Sequence, residues 1–351
     1  MKQKILFAKN LCSELDEAIL HSDKNYDRVF LLTDTTTEKL CHPLLSGCQS
    51  LVDAKSIVIG ATDTHKTLET LAEVWRQLGD GGASRHSLLV NLGGGMVTDL
   101  GGFAASTFKR GIDFINIPTT LLAMVDAAVG GKTGINFNGL KNEVGVFNES
   151  KVVMVDTNFL RTLDEENLKS GYAEMLKHSL LSNDAMWAEH LRFDLNQPDY
   201  VWLQKLVADS ISVKERIVTE DPHEQGIRKA LNLGHTAGHA FESLALALNR
   251  PILHGYAVAW GLAAELYLSV ALLRFPEDRM RQTFNFIRDY YGRFDFSCDH
   301  YERLFNLMLH DKKNVGGKIN FTLLGNVGDI HLDCHADRKL IEEVFDFLRE
   351  G

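Results

Sequence analysis

Short apolar runs separated by helical stretches occupy the amino-terminal part of the chain. Between Tyr26 and Asp156 the β-type runs fall at residues 29–33, 56–60, 87–92, 113–117 and 152–155. Strands that alternate with helices in this way form βαβ units, whose strands lie in a mostly parallel sheet. The pattern therefore predicts an α/β domain of the Rossmann-like class.

The periodicity changes after Asp156, where apolar residues recur at helical spacing. Amphipathic patterns cover residues 167–181, 200–219, 235–248, 256–273 and 279–291, and the apolar positions of residues 329–351 indicate a further, docking helix. Glu165 and Glu166 place acidic side chains at the positive end of the first predicted helix. We therefore predict an α/β domain over residues 1–160, followed by an all-helical domain over residues 161–351.

Composition and charge exclude several classes of protein. Of the 351 residues, 45% are hydrophobic, and the formal net charge is −10. A nucleic-acid surface needs clustered Lys and Arg, so this charge argues against one, and an anionic ligand would need a local basic pocket. The apolar runs at residues 5–8 and 257–264 are too short to span a bilayer.

The cysteines indicate the redox environment. Cys12, Cys41, Cys48, Cys298 and Cys334 are odd in number, scattered, and form no C-x-x-C pair. We therefore expect neither a disulfide framework nor a thiolate zinc site. The cysteine pattern favours a reducing cytoplasm, while the net charge and the short apolar runs predict no nucleic-acid partner and no membrane partner.

A glycine-rich turn, Gly93-Gly94-Gly95, connects a predicted strand to a predicted helix and is followed by Asp99. Consecutive glycines let the backbone come close to a diphosphate and present N–H groups at a helix amino terminus. A dinucleotide is the natural ligand, although the G-x-G-x-x-G spacing is absent and an ordinary tight turn remains the alternative. Asp34 ends an earlier predicted strand, where it fits a ribose-binding carboxylate or, more simply, a helix cap.

A second glycine-rich segment, residues 129–134, reads Val-Gly-Gly-Lys-Thr-Gly. Its spacing differs from that of a Walker A phosphate loop. Lys132 is nevertheless a cation on a flexible backbone, and Lys141 and Asn142 follow shortly afterwards. The segment therefore fits either anion binding or a solvated loop.

Three histidines and a glutamate are candidates for a metal site. His235 and His239 lie four residues apart, hence on one face of a predicted helix, and His254 stands at the start of the next helix. Glu174 lies on an earlier helix, with Lys177 one turn away. Two histidines and a carboxylate suit a catalytic zinc. The spacing does not decide which three of the four candidates bind, and core or capping roles remain the alternative for each histidine alone.

Several longer motifs resemble the 3-dehydroquinate synthases of the sugar phosphate cyclase superfamily. Residues 116–126 read NIPTTLLAMVD, residues 129–134 VGGKTG, residues 140–142 LKN, and residues 228–235 RKALNLGH. The resemblance runs through nearly the whole chain. It implies a dehydroquinate synthase-like fold and a cytoplasmic, homodimeric lyase of the shikimate pathway, which serves chorismate and aromatic amino acid biosynthesis.

The activity implied by this resemblance is conversion of 3-deoxy-D-arabino-heptulosonate 7-phosphate to 3-dehydroquinate and phosphate. The substrate is transiently oxidised by NAD, loses phosphate, is reduced again and closes into a ring by an intramolecular aldol step. The implied cofactors are NAD and one divalent metal ion, zinc or cobalt.

The resemblance also implies a role for each site residue. The metal ligands are Glu174, His235 and His254, which leaves His239 as a substrate or phosphate contact. The NAD contacts are Asp34, Asp63, Lys66, Gly93, Gly94, Gly95, Asp99, Thr119, Thr120, Lys132, Lys141 and Thr162. The substrate contacts are Asp126, Lys132, Asn142, Lys177, Lys214, Arg228, Asn232, His239 and Lys312. Arg110 is similar to the family arginine that reaches the phosphate in the partner subunit's site.

The chain departs from the family pattern at three positions. Asp63 stands where the family has a longer glutamate, Thr98 replaces the usual glycine before Asp99, and Asp164 stands where a proline is common. These positions bear on cofactor affinity more than on the chemistry.

Three alternative functions stay open. A sibling cyclase would share the fold, metal and NAD but would act on a sugar phosphate without the carboxylate, a substrate that Arg228 and Asn232 disfavour. A metal-dependent NAD alcohol or glycerol dehydrogenase would produce net NADH, and the VGGKTG run argues against it. A catalytically silent homologue is disfavoured because the expected ligands and most expected cations are present.

Overall fold

The computed structural model of the protein describes residues 3–310 and 318–351. The chain divides after Asp164 into two compact units, residues 1–164 and 165–351. The hydrophobic pattern placed this boundary at residue 160, a few residues earlier. Each unit buries an apolar core of its own.

The first unit is built on a six-stranded sheet. Its elements in chain order are β1 (Lys4–Phe7), α1 (Leu11–Leu20), β2 (Val29–Asp34), α2 (Thr37–Leu40), β3 (Lys55–Ile59), α3 (Leu68–Asp80), β4 (Leu88–Gly93), α4 (Gly95–Thr107), β5 (Asp113–Pro118), β6 (Lys132–Phe137), β7 (Leu140–Phe147) and β8 (Val152–Val155). The sheet order is β1-β8-β5-β4-β2-β3, and each pairing in it is parallel. The α/β prediction is confirmed, and the predicted strands correspond to β2, β3, β4, β5 and β8.

Because the strands are parallel, their carboxyl ends lie at the same edge of the sheet. β2, β4 and β5 are buried at nearly every position, as expected for parallel strands that are covered on both faces. Helix α4 packs closely against β4, since a Cβ atom at Gly101 would lie 2.1 Å from the side-chain oxygen of Asn91 on that strand. The carboxyl ends of these neighbouring strands place Asp34, Gly93 and Thr119 side by side.

Strands β6 and β7 form a separate antiparallel hairpin. The segment that carries Lys132 was expected to be a flexible glycine-rich loop, so the hairpin was not predicted. Every residue of β7 is exposed, so the alternation of buried and exposed positions that reveals a strand is missing. Gly145 is required by the pairing, because a Cβ atom there would lie 2.1 Å from the Thr133 carbonyl oxygen.

The second unit is mainly helical. Its elements in chain order are α5 (Glu165–Leu180), α6 (Asp184–Leu191), α7 (Tyr200–Glu220), α8 (His235–Ala247), α9 (His254–Leu273), α10 (Glu277–Tyr291), α11 (Tyr301–Leu309), β9 (Phe321–Asn326), β10 (Asp329–Cys334) and α12 (Arg338–Glu350). The predicted helices correspond to α5, α7, α8, α9 and α10, with bounds that agree within two residues.

Two details of the carboxyl-terminal prediction differ from the structure. The second unit is not entirely helical, because β9 and β10 pair as an antiparallel hairpin. Residues 329–351 are not a single docking helix, because their first part is β10 and only α12 is helical. β10 alternates between exposed and half-buried positions, a two-residue period that the helical interpretation overlooked.

Helix α9 is the central helix of the second unit and packs against α5, α8, α10 and β9. Its length and composition would allow it to cross a membrane. Most of the helix is nevertheless buried among its neighbours, as in the core helix of a globular domain.

Cys12 and Cys48 form a disulfide bond, which corrects the expectation that the cysteines are unpaired. Cys12 lies on α1, and Cys48 precedes a short 3-10 turn, Gln49–Leu51. The Asp16 carboxylate on α1 accepts hydrogen bonds from the backbone N–H groups of Gln49 and Ser50. This packing of α1 brings the two thiols together, and cysteine spacing alone does not reveal it.

Candidate functional site

Glu174, His235 and His254 meet in the second unit. The Glu174 Oε1 atom lies 3.3 Å from His235 Nε2 and 3.3 Å from His254 Nε2. One ligand atom from each residue lies within 4.8 Å of the other two. Glu174 is fully buried, whereas the His254 side chain keeps 28% of its exposure, so the group is accessible to a small ligand. One carboxylate and two imidazoles are the donor set of a catalytic zinc site.

Each of these side chains is presented by a helix. His235 and His254 are the first residues of α8 and α9. Glu174 lies within α5, which is buried from Ser170 to Leu180. α5 and α9 approach closely, because a Cβ atom at Gly255 would lie 1.8 Å from the Ser170 carbonyl oxygen. This close contact places the carboxylate within reach of both imidazoles.

Hydrogen bonds on the far side of both imidazoles orient their Nε2 atoms. His235 Nδ1 lies 3.1 Å from the Leu233 carbonyl oxygen, to which it donates. His254 Nδ1 lies 3.5 Å from the Glu242 Oε2 atom. Carbonyl and carboxylate partners of this kind fix the tautomer and the ring orientation of metal-binding histidines. The residues therefore fit a divalent cation, with Nε2 as the ligand atom of both histidines.

Lys177 sets the charge balance of this group. Its buried ammonium contacts Oε2, the second carboxylate oxygen of Glu174. Burial by itself would raise the pKa of Glu174, but the charge of Lys177 and hydrogen bonds from His235 and His254 hold that pKa well below its usual range. Burial lowers the pKa of His235 to about 3. Burial opposes the charged form of His254 as well, but hydrogen bonds to Glu174 and Glu242 outweigh it and raise the pKa of His254 to about 10.

His239 lies beside the three candidate ligands. It follows His235 by about one turn of α8, and its ring centroid lies 5.3 Å from that of His235 and 6.1 Å from that of His254. The structure therefore brings all four residues of the predicted metal constellation together. Lys312, another predicted substrate contact, lies outside the described residues.

The other predicted substrate contacts of the second unit are largely buried polar side chains. Lys214 is buried on α7. Arg228 is buried on a 3-10 segment, and its Nη1 atom donates to the Pro222 carbonyl oxygen at 2.6 Å. Asn232 ends the same segment, and its Nδ2 atom donates to Glu224 Oε1 at 3.1 Å. Buried cations supply the local positive charge that an acidic protein needs for an anionic substrate.

In the first unit the glycine-rich turn lies at the carboxyl end of β4. Gly93 ends the strand, Gly94 is the N-cap residue of α4, and Gly95 begins the helix. A Cβ atom at Gly94 would lie 3.0 Å from Thr120 Cγ2, and the Thr119 N–H group donates to the Gly93 carbonyl oxygen at 2.9 Å. Because these residues are glycines, the backbone N–H groups at the amino terminus of α4 can be approached closely. Diphosphates bind in such settings.

Asp34 has the capping role that its position suggested. Its Oδ1 atom accepts hydrogen bonds from the N–H groups of Thr36 at 2.8 Å and Thr37 at 2.9 Å, at the start of α2. Both bonds use the same carboxylate oxygen. Thr162 ends a 3-10 segment, and its hydroxyl oxygen lies 3.8 Å from the Cys41 thiol sulfur.

Five predicted cofactor or substrate contacts form one polar cluster in the first unit. Lys66 is buried, and its Nζ atom lies 2.5 Å from Asp99 Oδ2. The same ammonium donates to the Asn142 side-chain oxygen. Lys141 Nζ lies 3.5 Å from Asp63 Oδ2, so the shorter acid that departs from the family pattern still forms an ion pair. The β6–β7 hairpin supplies both residues 141 and 142 to this cluster.

Three further predicted residues of the first unit lie outside this cluster. Asp126 belongs to a single π-helical turn, Ala123–Ala127, a feature that is frequent at functional sites. Lys132 is exposed at the start of β6. Arg110 is exposed and has a φ of 71°, in the left-handed region, which costs about 1–3 kcal/mol for a residue other than glycine.

Glu242 is a contact of the candidate metal site that was not predicted from the sequence. It lies on α8, three residues after His239, and its carboxylate orients His254. Its spacing from His235 and His239 puts it on their face of the helix, so helical periodicity was a usable signal.

Gln3 is a second residue near the candidate site that was not predicted from the sequence. Its Nε2 atom donates to the Ala128 carbonyl oxygen at 3.2 Å, and its Oε1 atom accepts from the Gly130 N–H group at 3.0 Å. These bonds hold the loop that separates Asp126 from Lys132. No local signal could reveal them, because the partners are more than a hundred residues apart.

Comparison with known proteins relates both units to one family. Residues 56–170 match the family model described as 3-dehydroquinate synthase N-terminal, and residues 171–314 match the model described as 3-dehydroquinate synthase C-terminal. A curated 3-dehydroquinate synthase of Parabacteroides distasonis is 54% identical over 350 residues, which covers 100% of this chain and 99% of the relative.

Solved structures share the fold. A 2-epi-5-epi-valiolone synthase from Streptomyces hygroscopicus subsp. jinggangensis, with NAD+ and Zn2+ bound, has a TM-score of 0.87 at 24% identity and covers 100% of this chain and 97% of its own. A 2-deoxy-scyllo-inosose synthase complexed with carbaglucose-6-phosphate, NAD+ and Co2+ has a TM-score of 0.85 at 24% identity, with coverage of 99% and 96%. At this level of identity the likeness establishes the fold.

Binding of a divalent cation at neutral pH should release a proton. We expect His254 to be protonated in the metal-free protein, because hydrogen bonds to Glu174 and Glu242 raise its pKa to about 10, above neutral pH. An ion that binds its Nε2 atom must displace that proton, so we expect about one proton per ion and an apparent affinity that rises with pH. Calorimetric titration with Zn2+ in two buffers of different ionisation enthalpy measures this number.

Glu242→Gln is the matched control, because it removes a carboxylate that favours protonated His254 and should therefore release fewer protons. Stoichiometric Zn2+ binding without proton release by the unsubstituted protein would contradict the charge state assigned to His254.

Proposed function

The chain belongs to the 3-dehydroquinate synthase family, and on that premise we propose how its residues perform the family reaction. The enzyme is a lyase that converts 3-deoxy-D-arabino-heptulosonate 7-phosphate to 3-dehydroquinate and phosphate. The observation that carries this conclusion is the 54% identity to a curated 3-dehydroquinate synthase over 350 residues. The geometry supports it, because Glu174, His235 and His254 converge within the residues that match the carboxyl-terminal family model.

The metal centre of the enzyme is formed by Glu174, His235 and His254, with zinc or cobalt as the ion. When bound, the ion acts as a Lewis acid that stabilises negative charge on adjacent substrate hydroxyl groups. The orientation of both Nε2 atoms supports this site. Two proteins of the same fold, solved with Zn2+ or Co2+, also support it.

NAD is bound by residues of the first domain, residues 1–160, and by the segment that follows it. When bound, it supplies a reversible oxidation of one ring hydroxyl of the substrate. The bare backbone at the start of α4 supports this assignment, because it suits a diphosphate. The proposed contacts are Asp34, Asp63, Lys66, Gly93, Gly94, Gly95, Asp99, Thr119, Thr120, Lys132, Lys141 and Thr162.

Lys177 orients the Glu174 carboxylate of the metal site and keeps it ionised. Its ammonium pairs with Oε2 of Glu174, which leaves Oε1 directed at the two imidazoles. The same positive charge helps to keep the carboxylate ionised. Lys177 and Asp126 also orient the substrate by contacts to its hydroxyl groups, where a small misplacement greatly slows the reaction.

The remaining site residues bind the two anionic ends of the substrate. Lys132, Lys214 and Arg228 hold the carboxylate, and His239, Asn232, Lys312 and Arg110 hold the phosphate, while Asn142 is a further substrate contact. Burial of Lys214 and Arg228 supports these roles, because a desolvated cation binds an anion more strongly than an exposed one. The second domain, residues 161–351, is thus the metal- and substrate-binding domain.

The enzyme acts as a homodimer. Strand β7 is exposed along its whole length and carries Leu140 and Phe147, which are 53% and 54% exposed. An edge strand with apolar side chains favours association with another chain. Asn148, which follows β7, donates to the Ser106 hydroxyl near the end of α4, and the exposed Arg110 follows Ser106 by four residues. Arg110 serves the phosphate site of the partner subunit.

The enzyme works in the cytoplasm, without a nucleic-acid or membrane partner. The net charge of −10 disfavours nucleic acid, and the burial of α9 accounts for its apolar composition. The Cys12–Cys48 disulfide argues against a cytoplasmic location, because disulfides are rare in a reducing compartment.

The purified enzyme, supplied with NAD and Zn2+, should release phosphate from 3-deoxy-D-arabino-heptulosonate 7-phosphate without accumulating NADH. A redox-neutral reaction returns each hydride, so absorbance of NADH should stay at its baseline while phosphate rises. Steady NADH production would indicate a dehydrogenase. Phosphate release only from sugar phosphates without a carboxylate would indicate a sibling cyclase.

Arg228→Ala should weaken binding of the substrate carboxylate while leaving the metal content unchanged. Loss of a hydrogen bond to a charged group costs about 1.5–3 kcal/mol, so kcat/KM should fall roughly 10- to 150-fold. Lys229→Ala is the matched control, because this neighbouring cation is half-buried and lies 3.2 Å from Asp333. Unchanged kcat and KM in the Arg228 variant would contradict the assignment.

Arg110→Ala and Glu174→Ala should each be inactive as homodimers, and a mixture that exchanges subunits should regain activity. A mixed dimer contains one site with an intact metal centre and an arginine supplied by the partner. Random exchange makes half of the dimers mixed, with one active site in each, so activity should return to about a quarter of the unsubstituted level.

Lys109→Ala should leave activity unchanged, since Lys109 is an exposed cation in the same turn as Arg110. If the mixture stays inactive although mixed dimers form, Arg110 does not act across the interface. A monomer in light scattering would contradict the dimer itself.

A further inference from the structure

Glu265 is a fully buried acid to which the proposed reaction assigns no role. It lies on α9, about three turns after His254. Its carboxylate accepts hydrogen bonds from the backbone N–H groups of Gly234 at 2.6 Å, Thr236 at 3.0 Å and Ala237 at 3.3 Å. The first N–H groups of a helix have no partner within the helix. A carboxylate on α9 therefore closes the amino terminus of α8.

This contact replaces the cap that α8 lacks. The side chain of the N-cap residue normally accepts a hydrogen bond from the second or third N–H group of its helix. The N-cap residue of α8 is Gly234, which has no side chain and a φ of 79°. Oε1 of Glu265 accepts from the second and third positions, and Oε2 accepts from the N-cap N–H group. One residue thus supplies both halves of a capping box from another helix.

Glycines allow the two helices to come this close. A Cβ atom at Gly261 would lie 1.9 Å from the Gly234 carbonyl oxygen, and one at Gly238 would lie 2.9 Å from the Ala257 carbonyl oxygen. The backbones of α8 and α9 are therefore in direct contact beside Glu265. This close contact brings the Glu265 carboxylate within hydrogen-bonding distance of the α8 backbone.

The capped turn carries a proposed metal ligand. His235 lies between Gly234 and Thr236, whose N–H groups both donate to Glu265. His254 begins the helix from which Glu265 projects. The carboxylate therefore ties the backbone at one ligand to the helix that carries the other. A shift of either helix would alter the distance between the two Nε2 atoms.

Charge at this turn matters as well as geometry. The amino terminus of a helix carries about half a positive charge, which favours anions and disfavours a cation nearby. His235 holds a divalent ion at the first residue of α8 in the proposed site. The negative charge of Glu265 offsets the positive end of the helix at the same turn.

On the basis of the proposed metal site, we propose that Glu265 is a positioning residue of that site. It sets the separation of His235 from His254 and offsets the positive end of α8, without contacting the ion itself.

The test is the affinity of the purified, folded enzyme for Zn2+, measured by competition with a chromophoric chelator. Glu265→Gln keeps the size of the side chain but removes its charge and one acceptor. Loss of a group that orients a metal ligand typically weakens binding by about 10- to 100-fold, and we expect a rise of that size in the Zn2+ dissociation constant. The visible absorption of the Co2+-loaded variant should also change, because the ligand geometry changes.

Ser269→Ala is the matched control. The Ser269 hydroxyl donates to the Glu265 carbonyl oxygen and accepts from the Leu324 N–H group, so its loss removes buried hydrogen bonds on α9 without touching the carboxylate. It should lower the melting temperature and leave the Zn2+ dissociation constant unchanged. If Glu265→Gln does not fold, Glu265→Asp, whose carboxylate is one methylene shorter, should show weakened binding in the same titration.

Tight Zn2+ binding by the Glu265 variant would overturn this role if Glu174→Ala abolishes binding. Equal weakening by Ser269→Ala would reduce Glu265 to a general stabilising residue, which also overturns it. Zn2+ binding that survives Glu174→Ala would instead refute the proposed metal site, so the two failures are distinguishable.

Discussion

The buried carboxylate of Glu174 is the constraint on which the second unit depends. An ionised carboxylate in a protein core costs several kcal/mol unless charged and hydrogen-bonding partners surround it. Lys177 contacts one oxygen, and the imidazoles of His235 and His254 approach the other. Each partner must be delivered by a helix that packs tightly, which accounts for the burial of α5 and for the close glycine contact between α5 and α9.

Helix amino termini serve opposite purposes in the two units. In the first unit, α4 begins at a glycine turn whose backbone suits an anionic diphosphate. In the second unit, α8 also begins after a glycine, but the Glu265 carboxylate accepts from its first N–H groups. The difference is physically consistent, because the proposed ligand beside α8 is a cation. A helix amino terminus can thus lie beside an anion or a cation, depending on whether a buried acid accepts from its N–H groups.

Irregular backbone carries much of the proposed chemistry of the first unit. Asp126 lies in a π-helical turn, and Arg110 has a left-handed conformation. Such conformations cost energy and persist only when the surrounding structure holds them. The six-stranded parallel sheet provides that support, and Gln3 on the segment before β1 holds the loop after Asp126. The regular helices and strands thus provide stability, whereas the irregular backbone segments position the polar side chains of Asp126 and Arg110.

The sequence by itself determined five strands and five helices, because short apolar runs and the 3.6-residue helical period are local properties of the chain; these elements are β2, β3, β4, β5 and β8, and α5, α7, α8, α9 and α10. It also revealed the α/β and helical units, the four residues of the metal constellation and, through long motifs, the family. Only the tertiary structure decided that Glu242 orients His254, that Glu265 caps α8 and that Cys12 lies against Cys48. The β6–β7 hairpin belongs with these, because its exposed strand has no buried face to leave a pattern. Contacts between residues distant in sequence depend on how helices and strands pack, and no local pattern of side chains records that packing.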